Sequence, residues 1–282
     1  MDNKPFGDSE QLKQAIIERA RLKEFQDFDI DNPKTWCEKM QWLQIYDDKN
    51  PLKSVCADKI KVHHYCRSKL GSDICVPLLK IYDFPERLDF KELPSRFVLK
   101  CNHGYGYNII CRSKTTLNRL TCVSKLKEWL NIPFGLETIE PHYLNIPRKC
   151  FAEKFIENRG KADVTDYKFI CFNGKPTFVQ IINDRHKKTK RLNYYDMDFK
   201  FVDICRTDFP NNPAMLDSNP LCFHTMKEYA EILSADFRFV RVDFYEVNGR
   251  VYLGEMTFTP NTGFIKWTNP DIDRMFGDML SL

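Results

Sequence analysis

Two carboxylates, an arginine and a lysine beside a glycine turn set the chemical possibilities of this 282-residue chain. In RVDFYEVNGRVYLGEMT, residues 241–257, Asp243 and Glu255 fall on two predicted strands joined by the Asn248-Gly249 turn. Regular pairing about that turn sets Asp243 near Tyr252 to Gly254, so Glu255 is expected just beyond it. Magnesium suits such a pair, because it is held by one or two protein carboxylates and otherwise by water and substrate phosphates. The alternative is two rim acids paired with Arg241 or Arg250. Strand residues among Val, Phe, Tyr and Leu are half buried, however, where an unpartnered carboxylate is costly.

A second candidate is FVLKCNHGYGYNII, residues 97–110, in which Lys100 ends an apolar run and Gly104 and Gly106 follow in a polar turn. Glycines there expose backbone N–H groups that can close over phosphates while the lysine neutralises charge. It is not a P-loop, since the lysine precedes the glycines and a strand follows where a helix should. The plainer alternative is a hairpin with a solvated lysine. In CFAEKFIE, residues 150–157, an apolar strand carries Glu153 and Lys154 and offers backbone groups of the kind that meet an adenine edge.

Weaker signals remain. Asp196-Met-Asp198 is a D-x-D of the sort that holds a metal and a sugar-nucleotide diphosphate, and reads equally as an acidic turn between aromatic strands. The basic run DRHKKTKR, residues 184–191, is a solvated loop or a face for an anionic glycan such as a uronic acid. The six histidines show no ligand spacing, and His63-His64 is expected on an exposed helix face. Eleven cysteines without a CxxC pair or other metal-ligand spacing read as small buried hydrophobes in a reducing compartment.

The elements that must position these groups follow from periodicity. Residues 9–24 have the pattern of an exposed amphipathic helix. DNPKTWCEKMQWLQIY predicts another, with Asn32 as cap, Pro33 at the first helical position and Trp36, Met40 and Leu43 buried. A third runs from Asp58 to Leu70 and stops at Gly71; Leu117 to Leu130 and TMKEYAEILSA are also helical. ICVPLLKIY, RFVLKCNH and NIICRS predict strands, the last two paired across GYGY. From about residue 150 strands dominate, with Asn-Gly turns at 173–174 and 248–249. The class is α+β. No apolar run approaches the roughly 20 residues needed to span a bilayer, and the N-terminus lacks a signal-peptide stretch, which predicts a cytoplasmic protein. A net charge of +4 does not argue for nucleic acid.

The order of Asp58-Lys59, Lys100 before its glycine turn, Glu153-Lys154-Phe155-Ile156, Arg241-Val-Asp243 and Glu255-Met-Thr257 resembles the ATP-grasp superfamily, including D-alanine ligases. LPSRFVLKCNHGYGYNII, DYKFICFNGKP and RVDFYEVNGRVYLGEMTFTP resemble the TupA-like ATP-grasp family, from about Trp36 to the C-terminus. The resemblance implies an ATP-grasp fold with the nucleotide between two α+β subdomains and a helical N-terminal extension. The expected division is 1–55 for the extension, 56–95 for a part carrying the Asp-Lys helix, 96–150 for a subdomain with the glycine lid, and 151–282 for a subdomain with the adenine hinge and metal site.

It also implies roles. Lys59 and Lys100 would contact ATP phosphates, with His103, Gly104, Tyr105 and Gly106 in a flexible lid. Glu153 and the backbone of Lys154, Phe155 and Ile156 would meet the adenine. Asp243 and Glu255 would bind Mg2+, and Arg241 would stabilise transition-state charge. Asp166, Lys168 and Arg185 would serve phosphate or acceptor binding. Many superfamily members carry Glu-x-Asn where this chain has Glu255-Met-Thr257, so Thr257 ligates more weakly or Asn261 or water completes the shell.

The implied reaction joins a carboxylate, activated as an acyl phosphate, to an amine with release of ADP. One substrate is expected to be a glycan or sugar nucleotide of bacterial surface polysaccharide or capsule. The alternatives are a glycosyltransferase using a nucleotide sugar, a kinase that stops after phosphoryl transfer, and a non-catalytic nucleotide-binding module.

Overall fold

The computed structural model describes residues 6, 9–47, 50–157, 164–183 and 191–282. In chain order the helices are α1 (Ser9–Leu22), α2 (Trp36–Tyr46), α3 (Pro51–Ala57), α4 (Val62–Leu70), α5 (Arg119–Asn131), α6 (Phe134–Glu137), α7 (Phe223–Ser234) and α8 (Asp271–Met279). The strands are β1 (Leu78–Tyr82), β2 (Phe97–Cys101), β3 (Asn108–Cys111), β4 (Cys150–Lys154), β5 (Asp166–Phe172), β6 (Lys175–Asn183), β7 (Arg191–Tyr195), β8 (Phe201–Val202), β9 (Phe239–Val247) and β10 (Arg250–Thr257). The mixture of helix and antiparallel sheet is the α+β class expected from the sequence. No helix among the described residues is long and apolar enough to cross a membrane.

The chain forms two compact units, one made of Met1–Asn50 with Asp163–Leu282 and the other of Pro51–Ala162. These lines differ from those drawn on the sequence. The N-terminal helices share a unit with residues 163–282, because α2 buries Trp36, Met40 and Leu43 in one core with Phe239, Trp267 and Phe276. Strand β4 lies in the sheet of the second unit, hydrogen-bonded to β1 on one side and β2 on the other.

In the first unit the described strands form a six-stranded antiparallel sheet in the order β10-β9-β5-β6-β7-β8. Helix α7 lies on one face, its Met226, Ala230 and Leu233 fully buried and its Phe223 ring 5.6 Å from that of Phe169. The opposite face is covered at one end by α2 and α8. Both Asn-Gly pairs turn hairpins with positive φ at each residue, 50° and 76° at Asn173-Gly174 and 53° and 73° at Asn248-Gly249. Helix α2 begins later than Asn32 and Pro33 predict. Thr35 is its cap, accepting from Glu38 N at 3.3 Å while the Glu38 carboxylate accepts from Thr35 N at 2.9 Å. That reciprocal pair satisfies two orphan donors, and Asn32 stays in the preceding bend. Helix α1 buries Leu12, Ile16 and Ala20 and so is only half exposed.

In the second unit the described strands form a four-stranded sheet in the order β1-β4-β2-β3. Phe97, Leu99, Cys150 and Ala152 face a core closed by Leu126 of α5. Helix α4 starts at Val62 and ends at Gly71, whose φ of 69° makes a left-handed cap. Asp58 caps the turn before it rather than the helix, accepting from Ile60 N at 2.9 Å and Lys61 N at 3.3 Å. His63, expected on an exposed face, is buried, and only His64 points outward.

Candidate active site

The placement of the two carboxylates depends on one irregularity in the hairpin. Strands β9 and β10 pair regularly from Arg250 opposite Val247 to Leu253 opposite Phe244; Gly254 is then skipped, and Glu255 stands opposite Asp243. Continued regular pairing would have set Gly254 across from Asp243 and turned Glu255 to the other face, because side chains alternate. The bulge corrects the sequence expectation by one residue and brings Arg241, Asp243, Glu255 and Thr257 onto a single face. A Cβ on Gly254 would come within 2.9 Å of the Tyr245 ring, so a larger residue there would have to displace that side chain.

The side chains make a closed set of contacts. Arg241 grips Asp243 with two hydrogen bonds, Nε to Oδ1 and Nη2 to Oδ2, both 2.7 Å. The same Nη2 reaches Glu255 Oε1 and Thr257 Oγ1, each at 3.1 Å. Thr257 Oγ1 donates to Glu255 Oε1 at 3.2 Å. Lys168, opposite Asp243 on β5, donates Nζ to Asp243 Oδ2 and lies 3.8 Å from Asp166. Asp243 is 1% exposed and Lys168 is 7% exposed. Burial pushes the Asp243 carboxyl above its ordinary value while Arg241 and Lys168 pull it down. Burial disfavours the Arg241 cation too, but Asp243 and Glu255 outweigh it and raise its pKa, so the guanidinium stays charged.

Among the described residues two cations, Arg241 and Lys168, face three carboxylates, Asp166, Asp243 and Glu255, an excess of one negative charge within that set. That excess and the oxygen donors facing each other fit a magnesium ion that keeps water and phosphate in its other positions. Thr257 is placed less well for a metal, since its hydroxyl lies between Arg241 and Glu255. Asn261 accepts from Arg206 Nη1 at 3.2 Å, apart from the carboxylates.

Beside Arg241 a small cavity runs toward the α2–α8 core, lined by Trp36, Gln180, Tyr194, Arg206 and Asn261 among others. Its lining is mostly apolar with a few polar side chains. Trp36 Nε1 is buried with no hydrogen-bond partner among the described residues. Gln180, 5% exposed, stands opposite Lys168 and donates to Tyr194 Oη at 3.2 Å. Arg206 is buried and holds Asp208 through Nε at 2.9 Å and Nη2 at 2.6 Å. Sequence reasoning missed Gln180 and Arg206. A polar residue in the apolar strand PTFVQIIN was a signal for the first; a lone arginine in a loop gave none for the second.

The second unit gathers the other expected residues. Lys100 Nζ is 2.6 Å from Glu153 Oε1, so in this structure the lysine holds the glutamate of the neighbouring strand. Lys59 Nζ donates to Gly104 O and Lys59 N to Asn102 O at 3.1 Å. Asn102, also missed on the sequence, joins three segments: its Nδ2 donates to Asp58 Oδ1 and Pro147 O, both 3.0 Å, and its Oδ1 accepts from Lys149 N at 2.8 Å. The glycine turn is wedged in place. A Cβ on Gly104, whose φ is 68°, would lie 2.8 Å from the Phe134 ring, whereas Gly106 at φ 78° has open space. Tyr105 is exposed at 67%.

His103 lies under the turn, 1% exposed, and neither ring nitrogen has a hydrogen-bond partner of good geometry among the described residues. Burial first, then Arg148 and Lys59, press its pKa down to about 4. At the expected hinge, Lys154 N is taken by Pro77 O at 2.9 Å. The Phe155 ring has Arg96 and Arg112 over it at 4.8 and 5.6 Å, and Ile156 is partly buried. Asp196 of the D-x-D motif accepts from Asp198 N at 2.9 Å and Lys200 N at 2.8 Å, building the turn from β7 to β8. Arg185 and most of the basic run, 184–190, lie outside the described residues.

The profile of the TupA-like ATPgrasp family matches residues 38–281, and the chain belongs to that family, with its ATP-grasp fold. Among solved structures it is similar to D-alanine–D-alanine ligase from Bacillus anthracis, at 18% identity over 72% of this chain and 57% of that one, TM-score 0.42. It is similar also to L-amino acid ligase from Bacillus licheniformis, at 12% identity over 92% and 57%, TM-score 0.48. A third is the ATP-grasp ligase PsnB complexed with minimal precursor, at 12% identity over 87% and 62%, TM-score 0.41. The chain thus spans less than two thirds of the length of these ligases. No curated protein matches the sequence.

Proposed function

We propose that the protein is an ATP-dependent, ADP-forming carboxylate–amine ligase. The observation that carries this is the Gly254 bulge, which sets Arg241, Asp243 and Glu255 on one face with Lys168, beside a cavity that Gln180 and Arg206 help to line. Transfer of a γ-phosphoryl group to a carboxylate brings anions together, so catalysis needs positioned cations more than covalent chemistry. Arg241 and Lys168 are assigned to charge developing on the transferred phosphoryl group. Lys59 and Lys100 are assigned to nucleotide phosphates, and Glu153 with the backbone of residues 154–156 to the adenine. The cavity donors, Arg206 and Gln180 among them, are assigned to the substrate carboxylate. Asp243 and Glu255 would hold Mg2+, which supplies charge neutralisation on the phosphates when bound. Amine attack on the acyl phosphate then forms the amide and releases phosphate.

The carboxylate or the amine acceptor is assigned to a precursor of a bacterial surface polysaccharide, with a uronic acid as the first candidate. Family resemblance is the support for this finer choice. The test is ADP release with Mg-ATP across uronic acids and amino acids, each with and without hydroxylamine. Formation of a hydroxamate that depends on one carboxylate supports an acyl phosphate. ADP release without hydroxamate points to a kinase, and stabilisation by a nucleotide sugar without either product points to a transferase.

A further inference from the structure

Apart from the residues discussed so far, His63, Asp73 and Cys75 place one donor atom each within 4.8 Å of one another, and the described residues hold no other such His, Cys, Asp or Glu group. His63 and Cys66 are three residues apart on α4 and share a helix face. The left-handed cap at Gly71 turns the chain back so that Asp73 and Cys75 meet that face. Cys66 Sγ stands outside that group of three but lies 3.7 Å from Cys75 Sγ. Two zinc–sulfur bonds of about 2.3 Å at the tetrahedral angle would separate their sulfurs by about 3.8 Å. His63 Nδ1 and Asp73 Oδ2 are 2.9 Å apart, and Arg67 Nη1 reaches the same Asp73 oxygen at 2.5 Å. Cys66 is 0% exposed and Cys75 6%.

From this geometry we infer that His63, Asp73 and Cys75 form a structural zinc site, with Cys66 drawn in from beside Cys75 as the fourth ligand, that clamps the end of α4 to the segment leading into β1. The charges agree. Two thiolates and one carboxylate carry three negative charges against two on zinc, and Arg67 on Asp73 supplies the last positive one. Binding releases the two thiol protons to solvent, and the proton between His63 Nδ1 and Asp73 leaves Nδ1 with the imidazole taking its Nε2–H tautomer, so that two bonds to the metal replace the hydrogen bond. Four protein ligands leave no open position, which makes the site structural rather than catalytic.

The test uses the full chain, purified under reducing conditions and exposed to zinc alone or to cobalt alone, then passed through a desalting column. Retention of close to one zinc per chain is expected, together with the thiolate-to-cobalt charge-transfer absorption and the intense visible bands of a tetrahedral ion. Cys75→Ser and Cys66→Ser should each lose the charge-transfer intensity of one thiolate and weaken zinc retention by at least tenfold, while His64→Ala, at the exposed neighbour, retains both. Circular dichroism of the serine variants separates lost ligation from lost folding. If a serine variant does not fold, the parent's cobalt spectrum and metal content decide alone. Absence of the charge-transfer band, or zinc content unchanged in a folded Cys75→Ser chain, would overturn the site.

Discussion

At the scale of single residues, the Arg241–Asp243 contact has two effects that are separable. Removing a charge-stabilising donor typically raises a barrier by about 3 to 4 kcal/mol, so Arg241→Ala should slow ADP formation by roughly 10²- to 10³-fold. The same change leaves Asp243 buried without its main partner, a loss of about 3 to 5 kcal/mol of stability. Pairing it with Asp243→Asn should restore the melting temperature but not turnover. A double variant as active as the parent would remove both Arg241 and Asp243 from the reaction. His103 carries a pH prediction. Its folded pKa of about 4 lies below the ordinary 6.5, so between those values the unfolded chain takes up a proton that the folded chain refuses. Stability is complete above about pH 6.5 and falls by about 3 kcal/mol as the pH drops toward 4. His103→Phe, which keeps a ring against Tyr107, should flatten that slope in urea titrations at several pH values. An unchanged slope would place the acid sensitivity elsewhere.

At the scale of elements, the two glycines of the β2–β3 turn should not respond alike. Alanine at Gly106 meets no neighbour, and its cost is the left-handed backbone alone, about 1 to 2 kcal/mol. At Gly104 the added carbon also strikes Phe134 and Tyr107, and overpacking adds about 1 to 3 kcal/mol. Denaturant midpoints of the two variants check this order, and equal losses would mean that the turn gives way freely. Much of the element layout was legible in the sequence. Alternating apolar residues marked β5, β9 and β10, and Asn173-Gly174 and Asn248-Gly249 marked their hairpins, because those dipeptides tolerate positive φ in succession. The candidate site was legible as residue types but not as geometry. A bulge is set by how Tyr245 lies over Gly254, which counting from the turn does not see, so Glu255 was placed one residue too far. Asn32-Pro33 imitated a helix start, while the cap at Thr35 needed Glu38 to fold back on it. His63 has an exposed sequence neighbour, and only the return of the chain after Gly71 buries it. Asn102 acts through Asp58, 44 residues away, and Arg206, besides its neighbour Asp208, reaches Asn261, 55 residues away, and no local spacing reveals such long contacts.

At the scale of the whole molecule, nucleotide binding is expected to register as stability. ATP with magnesium at about 100 times its dissociation constant should add about 2.7 kcal/mol. Asp243→Asn should keep stabilisation by ATP alone and lose the further gain from magnesium; full retention of that gain would remove Asp243 from the metal. Acid sensitivity should be unevenly spread. His103 and His142, whose pKa burial and Lys53 lower to about 3, both belong to the Pro51–Ala162 unit. Hydrogen exchange near pH 5 should therefore speed up in that unit first, and uniform change would contradict the assignment. The division of the chain has a consequence for its biosynthesis. Helix α2 packs against α8, more than 220 residues further along, so the core they share stays open until residues 271–279 have been made. The Pro51–Ala162 unit draws on one uninterrupted stretch and can settle while the ribosome is still making its neighbour. Until then Trp36 and Met40 have no lasting cover, and a ribosome stalled within the last strands would leave an apolar helix for chaperones to guard.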